Sequence, residues 1–215
     1  MITPHPCHNP LEAARKAGAL LTKLLEDSPV LLLASGGSCL QMLDYTQARD
    51  FALGVLDERG DNFANLKKTK LFQRARTFKV TEKNLRDWAG RVVITQGIGP
   101  DGHTAGIMPA RNASRSEAGG PYPEDPTKFA ELFDNPDHWV VSYDATGRSP
   151  YPNRTTVTMP LLRRVNHSIV YVCGKEKQQA LAKTLASGGS LAETPARIIQ
   201  EMGKVDLFTD IQETR

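Results

Sequence analysis

One aspartate and one histidine have the spacing in this sequence that best fits catalysis. Asp101 and His103 stand two residues apart in the glycine-rich segment 96–104, directly after an apolar run. Such a run predicts a buried strand, and the glycines allow the chain to turn sharply at its end. The carboxyl end of a strand in an α/β sheet is where ligands usually bind. A histidine at that place can accept a proton near neutral pH, and a neighbouring carboxylate can orient its ring.

Two alternatives apply to the same segment. A lone loop histidine more often only hydrogen-bonds the backbone, although the glycines and Asp101 favour the catalytic interpretation of His103. Residues 97–102 also match the dinucleotide pattern G-x-G-x-x-G, which requires a long helix after the third glycine. Pro109 follows seven residues later, and residues 111–120 are polar and rich in small side chains. A nucleotide site is therefore disfavoured.

A second motif indicates an anion site. It consists of Ser35, Gly36, Gly37 and Ser38, between an apolar run and a predicted helix. Backbone N–H groups in such a turn can bind a phosphate, although the Walker ending is missing and a plain turn is the alternative. Two basic residues, Arg154 and Lys177, could complete the site. Taken singly, each is more typical of a solvent-exposed charge.

Charged residues also end the predicted strand 51–56. Asp57, Glu58 and Arg59 follow it directly. One interpretation is a solvated turn with an internal ion pair. The other is that these groups lie in the same crevice as Ser35 and His103.

The alternation of apolar runs and helical patterns predicts an α/β fold with a mostly parallel sheet and helices on both faces. With no linker or composition break, residues 1–215 are expected to form a single domain. Asn9 is expected to cap the first helix, and residues 111–137 are expected to be a surface excursion. Strands are predicted at 29–34, 51–56, 91–95, 139–143, 155–159, 167–173 and 204–208, and helices at 10–24, 39–48, 66–88 and 175–185.

Composition excludes several classes of protein. The 215 residues include three widely spaced cysteines and have a net charge of +3, which disfavours a disulfide framework, a zinc cluster and a nucleic-acid groove. No apolar run is long enough to span a membrane, and a soluble intracellular protein is expected. His5, Cys7 and His8 lie near a chain end that is expected to fray, and their spacing matches no recognised metal site.

Seven motifs follow one another along the chain: Ser-Gly-Gly-Ser at 35–38, Asp-Glu-Arg at 57–59 with Asn65, Gly-Ile-Gly-Pro-Asp-Gly-His-Thr-Ala at 97–105, Pro109, Arg154-Thr-Thr-Val-Thr, Gly174-x-x-Lys177 and Thr194-Pro195-Ala196. In this order they resemble the motifs of the 6-phosphogluconolactonase family, in the superfamily shared with glucosamine-6-phosphate deaminase. The resemblance spans roughly residues 10 to 210. Thr104 and Arg59 favour the lactonase branch over the deaminase branch.

The resemblance implies a modified Rossmann-like sandwich, no metal or organic cofactor, and a cytoplasmic role in the pentose phosphate pathway. It implies a phosphorylated sugar lactone as the ligand, His103 as the base, and a phosphate held by the 35–38 loop, Arg154 and Lys177. The expected reaction is ester hydrolysis of 6-phospho-D-glucono-1,5-lactone by water that His103 activates, with Asp101 orienting the ring.

Arg59 is expected to stabilise the developing oxyanion. Further pocket candidates are Asp57, Glu58, Asn65, Gly99, Gly102 and Thr104. No nucleic-acid or membrane partner is expected, and the chain is expected to be a monomer or small homo-oligomer. Two other functions remain open: an aminosugar-phosphate deaminase or isomerase with Asp57 as base, and a non-catalytic module that binds sugar phosphates.

Overall fold

The computed structural model describes residues 1–26, 29–110, 122–123 and 125–212. Within these ranges the chain forms ten strands, seven α-helices and several 3-10 turns. The strands are β1 Ile2–Pro6, β2 Val30–Ala34, β3 Ala52–Val55, β4 Asp57–Glu58, β5 Arg76–Thr77, β6 Arg91–Gly97, β7 Val140–Asp144, β8 Asn153–Val157, β9 His167–Val172 and β10 Val205–Thr209. The helices are α1 Pro10–Leu24, α2 Leu40–Leu43, α3 Asn62–Leu66, α4 Glu82–Arg86, α5 Pro126–Phe133, α6 Met159–Arg164 and α7 Gln178–Leu185.

Seven strands form one parallel sheet in the order β1-β10-β9-β6-β2-β3-β5. Every residue of β2 and β9 is buried. Apolar runs without polar alternation are expected where a parallel sheet is covered on both faces. The α/β class and the mostly parallel sheet predicted from the sequence are confirmed.

Two hydrophobic cores lie on opposite faces of this sheet. Because side chains alternate along a strand, Leu31 and Leu33 belong to one core, and Val30 and Leu32 belong to the other. The first core is covered by α5, α6, α7 and a smaller sheet, and the second by α1 and α2. In α1, Asn9 caps the helix as expected, since its side chain accepts from the Glu12 N–H.

The smaller sheet is antiparallel, with the order β4-β8-β7. It is tied to the loop that follows β6 by two hydroxyl groups. Thr156 donates to the Ala105 carbonyl, and Tyr143 donates to the Gly106 carbonyl. This sheet therefore fixes the segment directly after His103.

Several sequence predictions of local structure are wrong. The amino terminus does not fray, because β1 pairs along its whole length with β10. The helix predicted over residues 66–88 is replaced by a 3-10 turn, β5 and α4. The helix predicted at 39–48 ends at Leu43. Part of the predicted excursion 111–137 is α5, whose Phe129 and Phe133 are buried; residues 111–121 and 124 lie outside the described residues.

Among the described residues, no helix is long and apolar enough to cross a bilayer.

Candidate functional site

A cavity of about 200 Å³ opens beyond the ends of the parallel strands β2, β3, β6 and β9. Carboxyl ends of neighbouring parallel strands meet at one edge of a sheet, which explains why these distant segments converge. The sequence predictions that reach the cavity are Ser35, Gly36, Gly37, Ser38, Asp57, Arg59, Gly99, His103, Arg154 and Lys177. Most of the candidate residues are thus brought together.

His103 is held by a compact turn. The Gly99 N–H donates to the His103 carbonyl over 2.9 Å, and the Gly102 N–H donates to the Gly99 carbonyl over 3.0 Å. The imidazole lies directly over Gly99, because a Cβ at that position would be 2.0 Å from the ring. A glycine at residue 99 is therefore required for this ring position.

Asp101 orients the imidazole. Its Oδ1 accepts from the His103 backbone N–H over 3.1 Å and lies 2.5 Å from Nδ1. With the Nδ1 proton on this bond, the lone pair of the ring is on Nε2, and no described residue hydrogen-bonds Nε2. Partial burial is the largest single influence on Asp101 and disfavours its ionisation, but the hydrogen bonds to the His103 ring and to backbone N–H groups, together with the charge of His103, outweigh it and lower the pKa of Asp101 below the usual range. The arrangement suits a base held by an ionised carboxylate.

The loop from Ser35 to Ser38 lines the same cavity. The Ser35 N–H already donates to the Thr95 carbonyl over 3.2 Å, so anion binding by backbone groups falls to residues 36–38. Lys177 approaches the same loop, with its Nζ 3.4 Å from the Ser38 hydroxyl. An ammonium beside free backbone N–H groups forms a suitable environment for an anion.

Arg154 lines the cavity but has several protein partners. The side chain is buried, and its guanidinium donates to Ser149 Oγ over 2.7 Å and to the Gly106 and Tyr151 carbonyls over 3.3 Å each. A guanidinium has five N–H donors, so a ligand could use only those that remain. Arg154 therefore also fixes the chain around the cavity.

Asp57 is a buried carboxylate in the cavity wall. It accepts from Ser35 Oγ over 3.4 Å and from the Asn62 amide over 3.1 Å. Burial raises the pKa of Asp57 above its usual range, and the positive charges of Arg59 and Arg154 oppose this shift without cancelling it. A carboxyl group in such surroundings is a candidate for proton transfer.

Arg59 contacts polar oxygen atoms and an aromatic ring. Its Nε is 3.3 Å from both Asn62 Oδ1 and Asp61 Oδ1, and its guanidinium lies 5.5 Å from the centre of the Tyr151 ring. Asn62 was not predicted from the sequence, although it lines the cavity. The only sequence feature that could have indicated a role for Asn62 is an amide side chain five residues after Asp57.

Four predicted candidates lie outside the cavity lining, as does Asp101, which reaches it only through His103. Glu58 accepts from the N–H groups of Arg59, Gly60, Asn62 and Phe63, so it caps the start of α3. Asn65 bonds Asp61 and Lys68. Gly102 packs against Thr194, and the buried Thr104 donates to Gln96 and to the Gly97 carbonyl. Their contacts are those of residues that support the surrounding structure.

The dinucleotide alternative receives no geometric support. No helix begins between residues 103 and 110, so the glycine pattern at 97–102 lacks the helix that a dinucleotide fold requires. Within the described ranges, no group of three or more His, Cys, Asp or Glu side chains is arranged to hold a metal ion.

Comparison with known proteins identifies the family of this chain. The profile of the glucosamine-6-phosphate isomerase/6-phosphogluconolactonase family matches residues 44–208. A curated Caenorhabditis elegans protein, provisionally named 6-phosphogluconolactonase, is 31% identical over 118 residues. That match covers 55% of this chain and 36% of the relative, so the chain spans about a third of the relative's length.

Solved structures of 6-phosphogluconolactonases share the fold. The Thermotoga maritima enzyme is 22% identical with a TM-score of 0.71, and covers 97% of this chain and 98% of its own. The Shewanella baltica enzyme is 16% identical with the same TM-score, and covers 97% of each chain. The family profile matches well over half of the sequence, and the chain therefore belongs to the glucosamine-6-phosphate isomerase/6-phosphogluconolactonase family.

Proposed function

We propose that this protein hydrolyses 6-phospho-D-glucono-1,5-lactone to 6-phosphogluconate. The observation that supports this best is the shared cavity: His103, with no described partner on Nε2, lines the same 200 Å³ space as Lys177 and the Ser35–Ser38 loop. A base and an anion site in one cavity match a substrate that has a lactone and a phosphate. The lactonases of similar fold and the related C. elegans protein favour the same substrate.

The proposed chemistry begins with water. His103 Nε2 takes a proton from water as the oxygen attacks the lactone carbonyl, and Asp101 stabilises the imidazolium that results. The carbonyl oxygen becomes an oxyanion, for which Arg59 is the proposed donor. The bond from the carbonyl carbon to the ring oxygen then breaks, and the imidazolium returns its proton to that oxygen. The products are a carboxylic acid and a hydroxyl group, and no other reactant is needed.

The phosphate is assigned to the part of the cavity that the Ser35–Ser38 loop lines. Lys177 and the backbone N–H groups of residues 36–38 are its main proposed ligands, since several donors of Arg154 are already bonded to protein. A hydrogen bond to a charged group contributes about 1.5–3 kcal/mol. We therefore assign Arg154 a smaller direct part in phosphate binding than Lys177.

Aminosugar-phosphate isomerisation is the second candidate, and Asp57 favours it. This carboxyl lines the same cavity, and its burial raises its pKa toward the range in which a carboxylate is a useful base. The matched family includes both activities. Release of ammonia and a ketose phosphate from glucosamine 6-phosphate would identify this activity, whereas binding of phosphosugars without turnover would indicate a regulatory module.

The remaining expectations stay proposals. We propose a cytoplasmic protein of one domain that acts as a monomer or small homo-oligomer, without a nucleic-acid or membrane partner. The proposed hydrolysis uses only groups of this chain and water.

The first experiment is to measure hydrolysis of freshly prepared 6-phosphogluconolactone, with the spontaneous rate subtracted. Turnover well above the spontaneous rate, together with no ammonia from glucosamine 6-phosphate, is the expected result. No acceleration of lactone opening at micromolar protein would contradict the proposal. Replacing Lys177 by Ala should raise KM for the lactone, with a smaller rise for Arg154→Ala.

A further inference from the structure

Asn62 is a buried amide that the proposed chemistry does not use. It is the first residue of α3, it is only 3% exposed, and it lines the cavity. Burying a polar side chain is unfavourable unless its hydrogen bonds are satisfied. The position of Asn62 is therefore explained by its partners.

The amide group of Asn62 bonds Asp57 twice and Arg59 once. Nδ2 donates to the Asp57 carbonyl over 2.8 Å and to Asp57 Oδ2 over 3.1 Å, while Oδ1 accepts from Arg59 Nε over 3.3 Å. A carboxamide has both a donor and an acceptor end. The partners assign the two ends without ambiguity, because two acceptors face Nδ2 and one donor faces Oδ1.

The same side chain also touches the proposed phosphate loop. A Cβ built on Gly36 would lie 2.1 Å from Asn62 Oδ1, so the amide rests against the backbone of that loop. One side chain thus contacts Gly36, Asp57 and Arg59, all of which line the cavity.

Arg59 has a competing partner if Asn62 is lost. Asp61 Oδ1 lies 3.3 Å from the same Nε, and the Tyr151 ring lies beneath the guanidinium. Neither Asp61 nor Tyr151 lines the cavity, whereas Asn62 does. The bond to Asn62 is therefore the contact that ties Arg59 to a residue of the cavity lining.

We propose that Asn62 is a positioning residue for catalysis, an inference that rests on the proposed lactonase function. It fixes the Arg59 guanidinium and the Asp57 carboxyl relative to the Ser35–Ser38 loop and does not itself touch the reacting atoms. Because Arg59 is assigned to charge that develops in the transition state, loss of Asn62 lowers kcat and leaves KM nearly unchanged. Misplacement of a catalytic group by about 1 Å can reduce the rate by about 10².

The test uses two variants of Asn62 and one matched control. Asn62→Ala removes both ends of the amide, whereas Asn62→Asp keeps the size and the acceptor for Arg59 but loses the donor to Asp57. Asn84→Ala is the control, because Asn84 also donates to a main-chain carbonyl, that of Lys79, in a short helix away from the cavity. We expect kcat to fall roughly tenfold to a hundredfold in Asn62→Ala, with wild-type kinetics in Asn84→Ala.

A double variant separates positioning from a merely structural role. If Asn62 acts through Arg59, the kcat of Arg59→Ala/Asn62→Ala equals that of Arg59→Ala alone, because coupled residues are not additive. Urea unfolding of each variant shows whether it is folded. If Asn62→Ala does not fold, the kinetics of Asn62→Asp test the inference instead. In Asn62→Asp, a second carboxyl beside Asp57 should also shift the pH profile of kcat/KM.

Three results would overturn the inference. Wild-type kcat in both Asn62 variants would remove Asn62 from catalysis, and a double variant whose losses multiply would remove the link to Arg59. An increase in KM alone would assign Asn62 to substrate binding. Each of these outcomes leaves wild-type lactonase activity intact, whereas absence of wild-type turnover overturns the proposed function and this inference together.

Discussion

Two histidine–aspartate clusters in this protein have the same bond length and different surroundings. At the carboxyl end of the sheet, His103 Nδ1 lies 2.5 Å from Asp101. Toward the other end, Asp206 lies 2.5 Å from His5 and from His167, with one oxygen for each. The first cluster lies within one turn, and the second links β1, β10 and β9.

The two clusters differ in solvent exposure and in whether a ring nitrogen faces the cavity. The side chains of His103 and Asp101 are 40% and 49% exposed, whereas those of His167 and Asp206 are 11% and 16% exposed and that of His5 is 34% exposed. Asp206 uses both oxygens, and the His5 ring stacks on Phe208. A short histidine–carboxylate bond is therefore not by itself a sign of catalysis. A ring nitrogen open to a cavity is the feature that distinguishes His103.

The largest expected effect is on turnover. His103→Ala should lower kcat by about 10²–10⁴, the usual contribution of a general base, and should change the free energy of unfolding little because the ring is exposed. Lactone hydrolysis and urea unfolding of the same preparation measure both quantities. Turnover that survives the substitution would mean that the base is another group.

A substitution in the cluster of His5, His167 and Asp206 should affect stability instead of turnover. Asp206→Ala removes the shared acceptor of His5 and His167, and we expect a loss of about 2 kcal/mol in the free energy of unfolding. The kcat of the folded protein should remain that of the wild type, since this cluster does not line the cavity. A large fall in kcat at full folding would show that the two clusters are coupled.

A smaller effect is expected from Asp101→Asn. The carboxylate is half-exposed, and exposed charge pairs contribute about 0.2–1 kcal/mol, so kcat should fall roughly fivefold. KM should be unchanged, because Asp101 does not line the cavity. A loss as large as that of His103→Ala would instead make Asp101 a direct participant in proton transfer.

The smallest expected effect is a dependence of stability on pH. The hydrogen bond to His103 lowers the pKa of Asp101 in the folded protein, so folding is favoured wherever this carboxyl is ionised. This stabilisation is complete above the unfolded pKa of about 3.9 and is lost as the pH falls through the folded value. Wild type should therefore exceed Asp101→Asn in unfolding free energy at pH 6 and converge with it near pH 2. A constant difference across this range would contradict the assigned cause.

The first cluster could be predicted from the sequence and the second could not. The sequence signals of the His103 turn are local: an apolar strand, three glycines, and an aspartate two residues from the histidine. His5, Asp206 and His167 come from distant parts of the chain, and their contact depends on the order of the strands. The proline-containing segment Ile2–Pro6 has weak strand propensity, and it is ordered by pairing with β10.

The same reasoning explains the missed and misplaced site residues. Asn62 reaches the cavity because α3 packs beside Asp57 and Gly36, which is a consequence of tertiary structure. Asn65 lies one turn further along α3, where its side chain bonds Asp61 and Lys68 outside the cavity. Glycines and strand ends thus predicted where the cavity forms, but could not predict which amide of a short polar helix would face it.

The pairing of β1 with β10 has a consequence for folding during synthesis. Ile2 lies opposite Val205, so the partner of the first strand is made roughly two hundred residues later. At about 5–20 residues per second, β1 waits on the order of 10–40 s for that partner. Contacts of such sequence separation form slowly, and β1 has no neighbouring strand until β10, the last of the described strands to be made, emerges from the ribosome. The protein should thus acquire its β1 edge as one of the final events of biosynthesis, well after the turn that holds His103 has been made.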